Sequence, residues 1–367
     1  MAQTRRNFLK IIGGGTIVAA AGIGGFLATR TPHKALAPWE NAGQYDDPRK
    51  NALSFALLAP NPHNRQPWEV DLSKTDQAII WRDKERNLPE TDPFARQLTI
   101  GMGCFLELLK IAASQSGHKV DLDLFPDGED GPVAIASFSE GAAPDPLFAH
   151  VMERRSCKEP FEDKAVPAEA ISALADYADL HVDSEMVENL KSLTWEALKT
   201  EINLPRTLKE SVDLFRIGKT EINTNPDGID LGGPFLESLS VLGILTREAN
   251  LDPNSAAFAE GVRMYETMLM ATPAYAAIKT NGNNRIDQID AGTRWLRLNL
   301  MTTSLGLALQ PVSQALQEFP EMREHYQTAH ALLAKPGETV QMLGRLGYGP
   351  QTGRTPRWPL ETRLVNG

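Results

Sequence analysis

Cysteine is nearly absent from this sequence: the 367 residues contain two, Cys104 and Cys157. Two cysteines exclude a disulfide framework and any four-cysteine metal site. A single bridge between them stays open in an oxidising compartment, although Cys104 lies in a strongly apolar helical stretch, where a cysteine serves as a small core residue. No metal is expected. Long basic stripes are also missing and the net charge is −10, so nucleic acid is not the expected partner. Neither low complexity nor an extreme composition marks the chain as anything but an ordinary globular protein.

What is present begins at the N-terminus. Thr4-Arg5-Arg6-Asn7-Phe8-Leu9-Lys10 runs directly into the glycine-rich apolar stretch Ile11 to Ala28, in which six of eighteen residues are glycine. A short polar start, a consecutive arginine pair and then a weakly apolar region is the order of a twin-arginine export signal, an address read by the translocation machinery. That route carries folded proteins, usually with a cofactor in place. Ala35-Leu36-Ala37 has the small-x-small form of a cleavage site, but Pro38 would follow the cut and disfavours it. Cleavage near residue 37 and retention as a membrane tether both stay open, and the expected location is periplasmic or otherwise extracytoplasmic.

Beyond residue 37 some 330 residues remain, enough for two modest domains or one large one. The patterning predicts a helix over Asn51 to Leu58, strands at Trp68–Leu72 and Ala78–Trp81, and a long apolar helix from Thr99 to Ser116 closed by Gly117. Strands at Val120–Phe125 and Val133–Phe138 follow. Helices are then expected near Ala168–Tyr177, Met186–Thr200, Leu208–Ile217 and Ala256–Ala271, with a second long apolar helix within Asp290–Gln310. Gly292 and Gly306 bracket that helix with the separation of Gly103 and Gly117, which suggests an internal duplication. Lys219 to Gly233, rich in Asn, Gly, Asp and Pro, reads as an irregular lid.

Three segments carry a family resemblance. Ala59-Pro60-Asn61-Pro62-His63-Asn64-Arg65-Gln66-Pro67-Trp68 resembles the A-P-S-x-x-N-x-Q-P-W loop of the nitroreductase family of FMN flavoproteins. Arg154-Arg155-Ser156-Cys157-Lys158 to Phe161 resembles the family's R-R-S-x-R-x-F opening. Leu343 to Tyr348 with Thr355 to Leu360 resembles its glycine-containing strand and basic tail. The tandem arrangement is most similar to the double-length, Acg-like branch. The resemblance implies an α+β nitroreductase-like fold, internally duplicated as a fused pseudo-dimer of mixed sheet and long buried helices. Its parts would be the signal at 1–37 and two halves, 38–150 and 151–367, packed as one monomeric unit.

The residue types suit FMN. A phosphate monoester carries close to two negative charges and needs N–H donors and cations; Arg154, Arg155, Ser156 and Lys158 offer these within five residues, and the resemblance assigns them to the phosphate. Lysine for the usual arginine at 158 keeps the charge but loses the planar fork. Arg357 is the further phosphate candidate from the tail, with Arg345 behind it. Asn61, His63, Asn64 and Gln66 bring donors and acceptors for the polar edge of the flavin ring, with Arg65 a candidate for its N1 edge. Gly306 stands in a segment resembling the turn whose backbone lines the ring. Trp68 is expected to start a strand and pack inward. His63 invites a role as catalytic acid, yet flavin hydride transfer needs none, and the catalytic residue stays unassigned.

Each half keeps what the other lacks. The asparagine-glutamine loop occurs only in the first half and the Arg154–Lys158 segment only at the start of the second, while Asp47-Pro48-Arg49-Lys50 is a poor counterpart in the first. One competent FMN site between the halves and one degenerate site are therefore expected. The resemblance implies two-electron reduction of electron-poor small molecules, nitroaromatic or quinone-like, through flavin N5. An exported flavoprotein is separated from cytoplasmic nicotinamides, so a non-catalytic FMN-binding protein that stores or sequesters flavin remains the alternative.

Overall fold

The computed structural model describes residues 29–366; the twin-arginine motif and the apolar stretch 11–28 lie outside the described residues. In chain order the helices are α1 (His33–Asn41), α2 (Pro48–Ala56), α3 (Arg96–Ser114), α4 (Ala168–Leu174), α5 (Ser184–Asn203), α6 (Pro205–Asp213), α7 (Gly218–Thr224), α8 (Pro234–Val241), α9 (Arg247–Leu251), α10 (Ala256–Met270), α11 (Arg285–Ser304) and α12 (Arg323–Leu333). The strands are β1 (Trp68–Asp71), β2 (Gln77–Arg82), β3 (His118–Leu124), β4 (Ala134–Glu140), β5 (Asp179–His181), β6 (Phe215–Ile217), β7 (Ile229–Leu231), β8 (Ala274–Thr280), β9 (Ala308–Pro311), β10 (Thr339–Gly347) and β11 (Leu364–Val365). The class is α+β, as read from the sequence.

Two sheets share one plan. The first has the order β11-β1-β2-β4-β3 and the second β5-β8-β10-β9. Within the runs β1-β2-β4-β3 and β5-β8-β10-β9 every pairing is antiparallel. Each run has a helix before its first strand, α2 or α4, and a long helix between its second and third, α3 or α11. The second run differs by the large insertion from α5 to α10 between β5 and β8. At the far end the chain returns to the first sheet, where β11 pairs with β1 in parallel.

The long helices meet at glycine. Gly103 lies seven residues after Arg96 and Gly292 seven after Arg285, so both are interior to their helices and not at their starts. A Cβ on Gly103 would sit 2.3 Å from the Ile289 carbonyl oxygen, and one on Gly292 would sit 2.1 Å from that of Ile100. Only glycine lets two backbones approach so closely. The contact is reciprocal, since Ile100 precedes Gly103 by the three residues that separate Ile289 from Gly292. Gly117 (φ +78°) and Gly306 (φ +68°) then end the two helices in the left-handed conformation.

One apolar core spans both halves, from Trp39 and Leu53 through Phe105 and Leu109 to Leu296, Leu298 and Leu360. Trp68 is fully buried at the start of β1, its ring stacked on Phe105 with centroids 4.7 Å apart. Both cysteines are buried and free, and the Cys104 thiol donates to the Gly292 carbonyl at 3.2 Å.

Three expectations need correction. Lys219 to Gly233 is not irregular: it holds most of α7 and all of β7, which pairs with β6 in parallel. The helix expected over Leu208–Ile217 is α6 followed by β6, because the chain turns at Leu214. The division after residue 37 falls inside α1, whose Ala35 and Trp39 are both buried.

Candidate functional site

Just after α2 the carbonyls of Leu57, Leu58 and Ala59 have no backbone partner among the described residues, and arginines from elsewhere take them. Arg154 Nη2 donates to the Leu58 carbonyl at 2.8 Å, and its Nη1 to Asn299 Oδ1 at 2.9 Å. Arg357 Nε donates to the Leu57 carbonyl at 2.8 Å, and its Nη2 to those of Leu58 and Ala59 at 3.1 and 3.2 Å. Two guanidinium groups thus converge on one carbonyl oxygen. Arg155 joins them, its guanidinium 4.8 Å from the centre of the Trp39 ring, with Arg354 and Arg357 at 5.5 and 5.9 Å from the same ring.

Among the described residues, none of these four guanidinium groups forms an ion pair with a carboxylate. Burial pushes Arg154 down to about 10 and Arg357 down to about 9, with the neighbouring arginines adding to the effect. A charge moved out of water stays charged only at a cost unless a counter-ion meets it. Arg155 Nε is buried with no hydrogen-bond partner among the described residues, and the Ser156 hydroxyl makes no hydrogen bond to any described residue. The cluster therefore carries positive charge that no described carboxylate offsets, with the Arg155 Nε–H and the Ser156 hydroxyl unfilled.

The loop after α2 uses its polar side chains to hold itself in shape. Asn61 Oδ1 accepts from the Gln66 backbone N–H at 2.7 Å and Asn61 Nδ2 donates to the Ala59 carbonyl at 3.1 Å. Gln66 is fully buried: its Nε2 donates to the Pro226 carbonyl at 2.7 Å, and its Oε1 accepts from the Trp358 N–H at 2.8 Å. Asn64 accepts from Arg357 Nη1 at 2.7 Å and donates to the Pro356 carbonyl at 3.1 Å. His63, Asn64 and Gln66 all lie at φ near +50°, a conformation that costs energy for residues with a side chain and clusters at functional sites. The loop and the C-terminal tail are thus locked to one another.

Lys158 lies close enough to His63, on this loop, for its charge to act on the imidazole. Lys158 is exposed, yet the protein around its ammonium group pushes its pKa down, while Asp230 on β7 opposes the shift. It makes no hydrogen bond or ion pair to any described residue. His63 is pushed down to about 4, by burial first and then by the charges of Lys158 and Arg65. It is therefore neutral at neutral pH, with Nδ1 buried and unpartnered, which removes the case for it as a standing acid.

Arg65 is not free to face a ligand alone. It pairs with Asp227 at 3.1 Å, a carboxylate that also holds Arg86 at 2.7 Å and Arg216 at 2.9 Å. Arg345 is buried in β10, donating to Gln310 Oε1 at 2.9 Å and to the Glu159 carbonyl at 3.0 Å; it braces the 157–159 segment and does not reach the arginine cluster. Gly306 ends α11 with open space where a Cβ would project, and is linked to the cluster through the next strand, where the Leu309 carbonyl accepts from the Cys157 N–H at 3.1 Å. Arg49, in the weaker counterpart motif, is bound to Asp47 at 2.7 Å and to the Lys74 and Gln77 carbonyls at 2.6 and 3.1 Å.

Two residues were not legible as site residues. Asn299 on α11 accepts from Arg154 and donates to the Arg155 carbonyl at 3.2 Å, so it orients both arginines. Trp39 lies under three guanidinium groups. Nothing in the helical pattern around Asn299 singles it out except that it is a buried amide (2% exposed), which only the structure reveals.

No protein-family model matches the chain. The chain is similar to Rv3131 of Mycobacterium tuberculosis, to which the name NAD(P)H nitroreductase is provisionally attached, at 24% identity over 318 residues, covering 82% of this chain and 85% of that protein. It is 28% identical over 120 residues to the similarly named acg product of the same organism, covering 31% of this chain and 36% of the relative. Among solved structures, a nitroreductase from Anabaena variabilis covers 80% of this chain and 82% of its own, with 11% identity and a TM-score of 0.40. The FMN-dependent nitroreductase NfnB of Mycobacterium smegmatis, solved with NADPH, covers 59% and 96%, with 18% identity and a TM-score of 0.36.

Proposed function

We propose that this chain is an exported FMN-dependent oxidoreductase of nitroreductase type, an internal duplication whose two halves form one competent flavin site. The observation that carries the reading is the arginine cluster: Arg154 and Arg357 converge on the carbonyls that follow α2, Arg155 lies beside them over Trp39, and among the described residues none has a carboxylate partner. A phosphate monoester fits that cluster, with Ser156 as hydroxyl donor and the Arg155 Nε–H unfilled. Lys158 and His63 are the residues left with donors for the rest of the flavin, and Asn61, Asn64 and Gln66 hold the loop beside them in shape. The name borne by Rv3131 supports the nitroreductase assignment, and the common order of the two sheets with the reciprocal glycine contact supports the duplication.

FMN, when bound, supplies two-electron hydride chemistry between a donor and an electron-poor nitro or quinone acceptor. The chain itself does the binding and positioning. Arg357 is held by Asn64 and the carbonyls of Leu57, Leu58 and Ala59, and Arg154 by Asn299, so the phosphate end is organised before any ligand arrives. Neutral His63 offers a hydrogen bond without adding charge. The Arg65–Asp227 pair, tied to Arg86 and Arg216, gives the loop a cationic flank that favours developing negative charge nearby.

One observation favours the alternative, flavin storage without turnover. The β6–α7–β7 segment is fastened to the loop through Arg65–Asp227, Gln66–Pro226 and the Gly228 N–H to the Asn64 carbonyl at 3.3 Å, an arrangement suited to keeping a cofactor in. The test is the absorption spectrum and flavin content of the full chain in detergent, followed by anaerobic NADPH, then dithionite, then a nitroaromatic. Flavin that bleaches and is reoxidised by the nitroaromatic supports the enzyme, and flavin that resists both reductants selects storage. A chain that takes up no supplied FMN refutes both.

A further inference from the structure

The triplet Ala35-Leu36-Ala37, which has the form of a leader cleavage site, is part of the folded body. The Ala35 N–H donates to Asn223 Oδ1 on α7 at 3.0 Å, and its carbonyl accepts from the Arg357 N–H at 2.9 Å. One turn on, the Trp39 indole N–H donates to the Thr355 carbonyl at 2.8 Å, while its ring lies against Arg155, Arg354 and Arg357. The attachment continues upstream: the Thr29 carbonyl accepts from Lys219 Nζ at 2.8 Å, and Arg30 pairs with Glu237 at 3.1 Å.

We propose that α1 is the floor of the cofactor-phosphate site, with Trp39 as a positioning residue for its arginines, and that the exported protein is therefore not cut after Ala37. The proposal rests on the FMN reading given above for the arginine cluster. Three guanidinium groups packed together without a carboxylate repel one another, and the face of an indole ring is the one neutral surface that attracts all three. The tail that carries Arg354 and Arg357 is fixed to α1 at two backbone points, through Ala35 and Thr355. A peptidase acting after Ala37 must draw these residues out of a packed helix, and doing so would release the Arg357 backbone and leave Trp39 on a frayed end. The phosphate site and the start of the folded body are one structural unit.

The test compares the full chain in detergent with chains starting at Thr29 and at Pro38, and with Trp39→Leu and Trp39→Phe in the full chain. Affinity is measured for FMN and, in parallel, for riboflavin, which lacks the phosphate; the intact mass of the exported protein is read separately. The chain from Thr29 should hold FMN as the full chain does. The chain from Pro38 and Trp39→Leu should weaken FMN by about tenfold or more, with riboflavin changed far less, and Trp39→Phe should retain most of the affinity. The exported mass should show no N-terminus at Pro38. FMN held equally well from Pro38, an equal loss for riboflavin and FMN, or an exported N-terminus at Pro38 overturns the proposal. A full chain that binds no FMN overturns the cofactor reading and Trp39's positioning role with it, and the mass alone then decides where the folded body begins.

Discussion

Gly292→Ala puts a methyl group where there is no room for one. Its Cβ would lie 2.1 Å from the Ile100 carbonyl oxygen and 2.8 Å from both the Cys104 nitrogen and the Gly103 Cα. These are backbone atoms of α3, so no side chain can rotate aside, and α3 and α11 must separate by about 1 Å to reach ordinary contact. Overpacking of this kind costs about 1–3 kcal/mol, here at the upper end, and alanine returns up to about 1 kcal/mol through helix propensity. The net expectation is a loss of about 2 kcal/mol, read as a lower urea midpoint. Gly103→Ala, whose Cβ would meet Ile289 O at 2.3 Å, should cost a similar amount, and the double variant less than the sum because one separation relieves both clashes. A second consequence follows from helix geometry. Asn299 lies seven residues beyond Gly292, two turns along the same face, so flavin retention should weaken alongside stability. An unchanged midpoint, or costs for the two glycines differing by more than about 1 kcal/mol, would refute the reciprocal crossing.

Other substitutions separate the arginine cluster from its counterpart. Arg154→Ala with Ser156→Ala should abolish FMN retention, whereas Arg49→Ala, which removes a clamp on three carbonyls and Asp47, should lower stability by about 1–2 kcal/mol and leave flavin content intact. Asn299→Leu should weaken FMN by about 1–3 kcal/mol, the effect of leaving buried donors without their acceptor, measured by flavin release on dilution. Glu201 is buried against Gln317 and burial pushes it up to about 7 from the usual 4.5. A carboxyl that holds its proton more tightly folded than unfolded loses stability for the fold as pH rises from about 4.5 to 7. Glu201→Gln should therefore be neutral near pH 4 and stabilise by about 1–3 kcal/mol at pH 8, checked by urea midpoints at both values; equal effects at both would contradict it.

The parts of the fold that were legible are those set by short-range chemistry. Strand alternation at Trp68–Asp71 and Gln77–Arg82 and the closing glycines at 117 and 306 are local signals, and they mark the observed elements to within a few residues. Elements held by distant partners were not legible. The segment from Lys219 to Gly233 has a loop composition, yet Asp227 is bound by three arginines from two other regions, and this supplies the order that propensity does not. Strand β8 is Ala-Tyr-Ala-Ala-Ile-Lys-Thr, buried on both faces between β5 and β10. It therefore lacks the alternation that marks a half-exposed strand. The start of α1 was hidden by its own resemblance to a leader's end.

The same contrast explains why the predicted site residues separate into two groups. Arg154 and Arg155 stand side by side in the sequence and Arg357 was marked by the resemblance of the tail; the fold brings the three together with no carboxylate among the described residues to pair them. Asn61, Asn64 and Gln66 carry equally visible polar groups, but their hydrogen bonds go to the Gln66 N–H, to Arg357 and to the backbones at 226, 356 and 358. Their role is one step back from any ligand: they fix the loop to the tail, and the tail carries Arg357. In the first-half motif the corresponding cation, Arg49, has Asp47 beside it and carbonyls filling its remaining donors. One aspartate two residues away thus converts a candidate phosphate ligand into a structural clamp, and the asymmetry between the two halves follows from where carboxylates stand as much as from where arginines do.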